Sequence, residues 1–177
     1  MKKKTLALVL ALTLLVAGIV GGTLAWLTDQ TAEVKNTFTV GDINIGLTET
    51  TTDYKMVPGN TIAKDPTVTV KANSEACWLF VKVTESTDLK DFITYASAEG
   101  WTALPGVDGV YYREVPASAA DQTFSVLAGD AVTVKSDVTR TMLETAKTDA
   151  PTLTFQAYAI QRDHFATADA AWAEVSK

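Results

Sequence analysis

Apolar and polar positions alternate with a period of two through much of the chain. In the stretch FTVGDINIGLTE, residues 38–49, Ile43, Ile45 and Leu47 fall on one side and Asp42, Asn44 and Gly46 on the other. That is the pattern of a strand with one buried face. Val68 and Val70 alternate with threonines in TVTVKA, and the preceding MVPGNTIAKDP carries Pro-Gly and Asp-Pro turn signals. CWLFVKVTE, residues 77–85, is nearly continuously apolar, which predicts a strand through the centre of a sheet. GVYYREV, TFSVLAGDAVTVKSDV and TLTFQAYAIQ return to strand character, the last with Leu153, Phe155, Ala157 and Tyr158 as core candidates. LPGVDG and PASAAD separate these runs as loops. Short strands at such spacing, broken by glycine and proline, predict an all-β sandwich or barrel.

Two segments break the period of two. In DLKDFITYASAEG, residues 88–100, Leu89, Phe92, Ile93 and Ala96 stand at helical spacing with Gly100 as a stop. This predicts a short helix in a crossover between sheets. The tail ATADAAWAEV is alanine-rich and predicts a C-terminal helix anchored by Trp172.

The beginning of the chain follows a third pattern. Lys2, Lys3 and Lys4 precede an uncharged apolar run from residue 6 to residue 20, which leads into GGTLAWLTD. A basic region, an apolar core and a small-residue exit compose a secretory signal peptide. Thr23 and Ala25 then stand at the −3 and −1 positions of a cut between Ala25 and Trp26. The competing arrangement is a retained transmembrane helix over residues 6–27, since about 20 apolar residues span a bilayer. Gly18, Gly21, Gly22 and Thr23 weaken its distal end, and no basic stop-transfer cluster follows. On either arrangement the bulk of the chain lies outside the cytoplasm. The expected division is a signal peptide at 1–25, an N-terminal extension at 26–36 and one β-sandwich domain at 37–177.

Cleavage removes three of the 15 basic residues and none of the 21 acidic ones, so the net charge moves from −6 to −9. An acidic surface argues against nucleic acid, which requires a basic stripe, and against an anionic lipid surface. The membrane is therefore expected to be met only through the signal segment. The single cysteine, Cys77, excludes an intramolecular disulfide framework and reads as a small buried hydrophobe.

Catalytic chemistry is sparse. The one histidine, His164, is too few for a zinc metalloprotease site with two histidines on a helix. No serine stands in a nucleophile-elbow context that would pair with it. His164 reads instead as a surface residue at the end of the last strand. The carboxylates Asp42, Asp65, Glu85, Asp88, Asp91, Asp108 and Asp130 are scattered without calcium-loop spacing and read as solvated loop charges. Tyr111 with Tyr112, or Trp78 with Trp101, would offer a carbohydrate platform. Neighbouring strand residues face opposite ways, however, so core packing is the expected role. Neither a cofactor nor a metal is expected.

The exit Gly21, Gly22, Thr23 and Ala25, followed by Trp26 and Asp29 and then by Phe38, Gly41, Ile43 and Ile45, resembles the exported proteins processed by SipW-type signal peptidases of Gram-positive bacteria. That family includes the biofilm matrix proteins TasA and CalY, the latter also called camelysin. PGNTIAKDPTVTVKANSEACWLFVKV and TFQAYAIQ are similar to later segments of the family. The resemblance implies a jelly-roll β-sandwich and a subunit of extracellular fibres. In the fibrous members, the segment released by signal cleavage is a donor strand completing the sheet of the next subunit. Carried over to this chain, that strand spans residues 26–34, with Trp26, Leu27, Ala32 and Val34 as its apolar residues.

The expected function is thus a secreted structural subunit of the extracellular matrix or cell surface, without enzymatic activity, assembled head to tail by donor-strand complementation. Its expected partners are further copies of itself or related matrix subunits, and a SipW-type signal peptidase acting on the precursor. A monomeric cell-surface binding or accessory module is the alternative, and a camelysin-type surface metalloprotease a third.

Overall fold

Cys77–Glu85 (β4) has apolar neighbours on both of its faces, which accounts for its nearly unbroken apolar run. Cys77, Leu79 and Val81 are fully buried on one side, and Trp78 and Phe80 are buried on the other. The structure is a computed structural model and describes residues 42–52 and 54–177.

β4 lies inside a four-stranded antiparallel sheet. It is flanked by Leu153–Gln161 (β10) and Val110–Val115 (β7), and Thr102–Ala103 (β6) pairs with β7 on the far side. Thr67–Val70 (β3) is the centre of a second sheet, between Ile45–Thr48 (β1) and Gln122–Ser125 (β8). The inner faces of these two sheets share the main core. Val68 and Val70 of β3 meet Leu79, Val81 and Val83 of β4, with Ile43, Ile45 and Leu47 packed against the margin. The alternations at residues 43–47 and 68–70 therefore point the way their period predicts.

A third sheet orders Thr61–Ala63 (β2), Ala131–Val134 (β9) and Ile93–Thr94 (β5). With the helices Leu89–Phe92 (α1) and Arg140–Ala146 (α2) it encloses a second apolar cluster around Phe92, Leu127 and Val134. The C-terminal helix Ala168–Val175 (α3) covers the outer face of β4 and β10. Its Trp172 ring lies 5.3 Å from Phe80 and 5.2 Å, edge-on, from Tyr158. Trp78 Nε1 donates to the Phe165 carbonyl at 3.1 Å, fixing the approach to the helix. A fully buried aromatic side chain such as Phe80 contributes about 1.5–3 kcal/mol of burial energy.

The described residues are thus mostly β-sheet with a few short helices. No helix among them is long and apolar enough to cross a membrane.

One expectation is corrected. The helix read over residues 88–100 is a single turn, because Ile93 leaves it to pair with Val134 of β9. Ala96 is exposed, and Gly100 (φ +85°) lies in the turn before Trp101, away from any helix end. The stretch TFSVLAGDAVTVKSDV, read as strand in character, holds two strands in two sheets, split by a turn at Gly129 and Asp130, both at positive φ. Helix α2 was not anticipated. Thr139 caps it by accepting from the Met142 N–H at 3.3 Å, and Met142, Leu143 and Ala146 turn inward.

Candidate functional site

Among the described residues, β1 and β10 lie beside one another at one margin of the two sheets without pairing. β1 and β10 are the outermost strands of their sheets there, and each is paired on one side only among the described residues. Their inward residues form the lips of a seam. Leu153, Phe155, Ala157 and Ala159 of β10, like Ile45 and Leu47 of β1, are only half-buried against the core. One strand further in, Leu79 and Val81 are fully buried. A cavity of about 370 Å³, lined by Leu47, Pro66, Leu153 and Phe155 among others, opens at one end of the seam. A second, of about 440 Å³, adjoins it and is lined by Tyr54, Met56, Ile62, Lys64 and Leu153.

A polar network stands where the cavities meet. Lys64, next to the end of β2, is buried, and its Nζ lies 2.7 Å from Glu49 Oε1 just past β1. The same ammonium sits 4.6 Å from the Tyr54 ring centre and 5.4 Å from that of Phe155, within cation–π range. Tyr54 donates its hydroxyl to Glu49 Oε1 at 2.8 Å. Burial, and then the hydrogen bond to the Glu49 carboxylate, raise the Tyr54 pKa well above the usual phenol range. Asp65 accepts from the Thr50 hydroxyl and from the Thr50 N–H (3.0 Å), which hold its carboxyl below the ordinary range. These contacts tie the segment after β1 to the end of β2 and draw two sheets together. Asp65 was read as a solvated charge. It is half-buried and has a structural partner that the sequence did not disclose.

Cys77 is fully buried, and burial pushes its thiol up to about 11, so it is not a poised nucleophile. His164 is exposed in the single turn after β10, as expected from the sequence. Tyr111 packs into the inter-sheet core and Tyr112 under α3, on opposite faces of β7, while Trp78 and Trp101 are buried. No aromatic platform faces solvent at these positions. Arg113 stacks between Phe124 (3.9 Å to the ring centre) and Trp101 (5.4 Å). Gly100 leaves room for it, since a Cβ there would stand 3.0 Å from Nη2.

The residues predicted from the sequence to act, namely Ala25 and Trp26 at the cut and Trp26, Leu27, Ala32 and Val34 in the donor strand, lie outside the described residues. The seam, and the Lys64–Glu49–Tyr54 network beside it, were missed.

Among models of protein families, the one described as camelysin metallo-endopeptidase matches residues 1–90. The chain belongs to the camelysin family. No curated protein and no solved structure matches it. The family's description implies a metal, and the described residues do not fit one. No group of three His, Cys, Asp or Glu side chains converges among them, and His164, the only histidine in the chain, stands alone on the surface.

Proposed function

We propose that this camelysin-family chain is a secreted, non-enzymatic structural subunit of the cell surface or extracellular matrix, folded as a jelly-roll-like sandwich. It is made as a precursor, cut between Ala25 and Trp26, and joined head to tail through residues 26–34. The observation that carries this reading is β10, a nine-residue strand that pairs on one side only among the described residues and borders a half-buried apolar seam. An exposed strand edge presents unpaired N–H and C=O groups that an added strand satisfies while burying its own apolar residues. Head-to-tail contacts of this kind build filaments when the rotation between copies does not close. Sedimentation velocity of the cleaved chain over a range of concentrations tests the reading. Concentration-dependent growth to long, regular polymers is expected, and a strictly monomeric chain contradicts it.

A second reading, a monomeric surface binding module, draws on the cavity of about 440 Å³ beside Tyr54 and Lys64. Its signature is ligand-dependent melting of a chain that stays monomeric. The metallo-endopeptidase reading rests on the family's description alone. Casein cleavage abolished both by chelator and by loss of His164 is what would support it.

A further inference from the structure

We infer that Arg113 is a receptor for the carboxylate of a small organic acid. The site lies at the β7–β8 margin of the sandwich, away from β1 and β10. It goes beyond the head-to-tail reading and does not depend on it.

Register puts Arg113 opposite Leu79 of β4, and alternation along β7 sets it on the same face as Tyr111 and Val115. Those neighbours belong to the inter-sheet core, so a cation stands where the pattern favours an apolar side chain. Its guanidinium carbon lies 3.9 Å from the ring centre of Phe124 on β8 and 5.4 Å from that of Trp101. Trp101 is itself pinned, since its Nε1 donates to the Ser125 carbonyl at 2.8 Å. The rings stabilise the cation and restrain its planar fork, but they offer its N–H groups no lone pair.

An acceptor is what Arg113 lacks. The other basic residues that are buried or half-buried each have one: Lys64 meets Glu49, Lys135 the Lys90 carbonyl, and Arg162 Glu114. Arg113 has no carboxylate partner among the described residues, and its Nε is enclosed without a hydrogen bond. Burial also lowers its pKa from the usual guanidinium value, the mark of a charge with little water around it. A carboxylate meets such a fork with two parallel charge-assisted hydrogen bonds. Arg113 is only half-buried, so an entering group reaches the Nη end. Gly100 keeps that end open, since a Cβ there would stand 3.0 Å from Nη2.

The surrounding charge selects the ligand. Glu99 and Glu114, next in sequence to Gly100 and Arg113, are exposed, and the chain carries a net charge of −6. A polyanion is repelled there, whereas one carboxylate neutralises one cation.

Competition against arginine modification tests the site in the full cleaved chain. The chain has Arg113, Arg140 and Arg162 as its arginines, so two of them serve as internal references. Phenylglyoxal is applied in sodium acetate, sodium chloride or sodium sulfate at constant ionic strength, and each adduct is located by peptide mass spectrometry. Occupancy slows modification by the factor 1 + [L]/Kd, so about 100 mM acetate with a Kd of about 10 mM slows Arg113 about tenfold. That slowing is expected at Arg113 in acetate alone, with Arg140 and Arg162 unchanged. No slowing at Arg113, equal slowing in chloride, or equal slowing of all three arginines overturns the site. Stronger protection by sulfate than by acetate overturns the carboxylate as its ligand. An Arg113 that stays unmodified while Arg140 reacts is closed to ligands, which overturns the inference too. None of these outcomes bears on filament formation, so the two readings fail separately.

Discussion

Lys64 Nζ lies 2.7 Å from Glu49 Oε1, with the two side chains only 8% and 16% exposed. A buried ion pair of this kind adds little over a well-packed apolar pair, yet losing one partner leaves an uncompensated charge. Glu49→Gln is expected to lower stability by about 2 kcal/mol, less than for a fully enclosed pair because the site opens on a cavity. Tyr54→Phe removes one hydrogen bond to the same carboxylate and is expected to cost about 1 kcal/mol. The double change Lys64→Met with Glu49→Leu is expected to recover most of the loss. Urea unfolding of the four chains checks this. Equal stability of Glu49→Gln and the parent would show that the pair contributes nothing to stability.

The C-terminal helix is held by one residue more than any other. Trp172 touches both Phe80 of β4 and Tyr158 of β10. Trp172→Ala is expected to destabilise the fold by about 2–4 kcal/mol, since a large aromatic is removed from a site closed on one side. Trp172→Phe should recover about half. Chemical denaturation measures the size of the effect, and near-UV circular dichroism shows whether the aromatic cluster stays ordered.

Cys77 is fully buried and its thiol is pushed up to about 11. At pH 8 the folded chain should resist iodoacetamide for hours, and the urea-unfolded chain should react within minutes, because only the thiolate attacks. Fast labelling of the folded protein contradicts the burial.

Acid should loosen two surface ties. Asp121 accepts from the Ala72 N–H at 2.8 Å and from Lys71 Nζ at 3.0 Å, and its pKa is lowered below the model-compound value of 3.8, as is that of Asp65. A carboxyl with a lower pKa in the folded state binds fewer protons folded than unfolded. Its stabilisation is therefore complete above 3.8 and is lost as pH falls through the lower folded value. Melting temperature should drop below about pH 4, and the drop should be shallower in Asp121→Asn. Parallel acid limbs in the two chains would remove Asp121 from the explanation.

What the sequence disclosed and what it hid divide along physical lines. Val68 and Val70, the run at Cys77–Val81 and the tail around Trp172 were legible because their period or continuity reflects the face they bury. Leu89, Phe92, Ile93 and Ala96 misled because helical spacing is local, whereas the pairing of Ile93 with Val134 is not. Helix α2 had a signal in Thr139 followed by Met142, Leu143 and Ala146, a cap and an apolar stripe that strand-rich surroundings obscured. The seam was out of reach. It arises from which strands end each sheet, and Glu49 and Lys64, 15 residues apart, meet only after folding.

Head-to-tail assembly through the cleaved N-terminus is checked by electron microscopy of two purified chains, one beginning at Trp26 and one at Phe38, over a range of concentration and pH. The expected result is regular filaments from the longer chain and none from the shorter. A shorter chain that polymerises equally well, or two chains that both stay monomeric, would contradict a donor strand in residues 26–34.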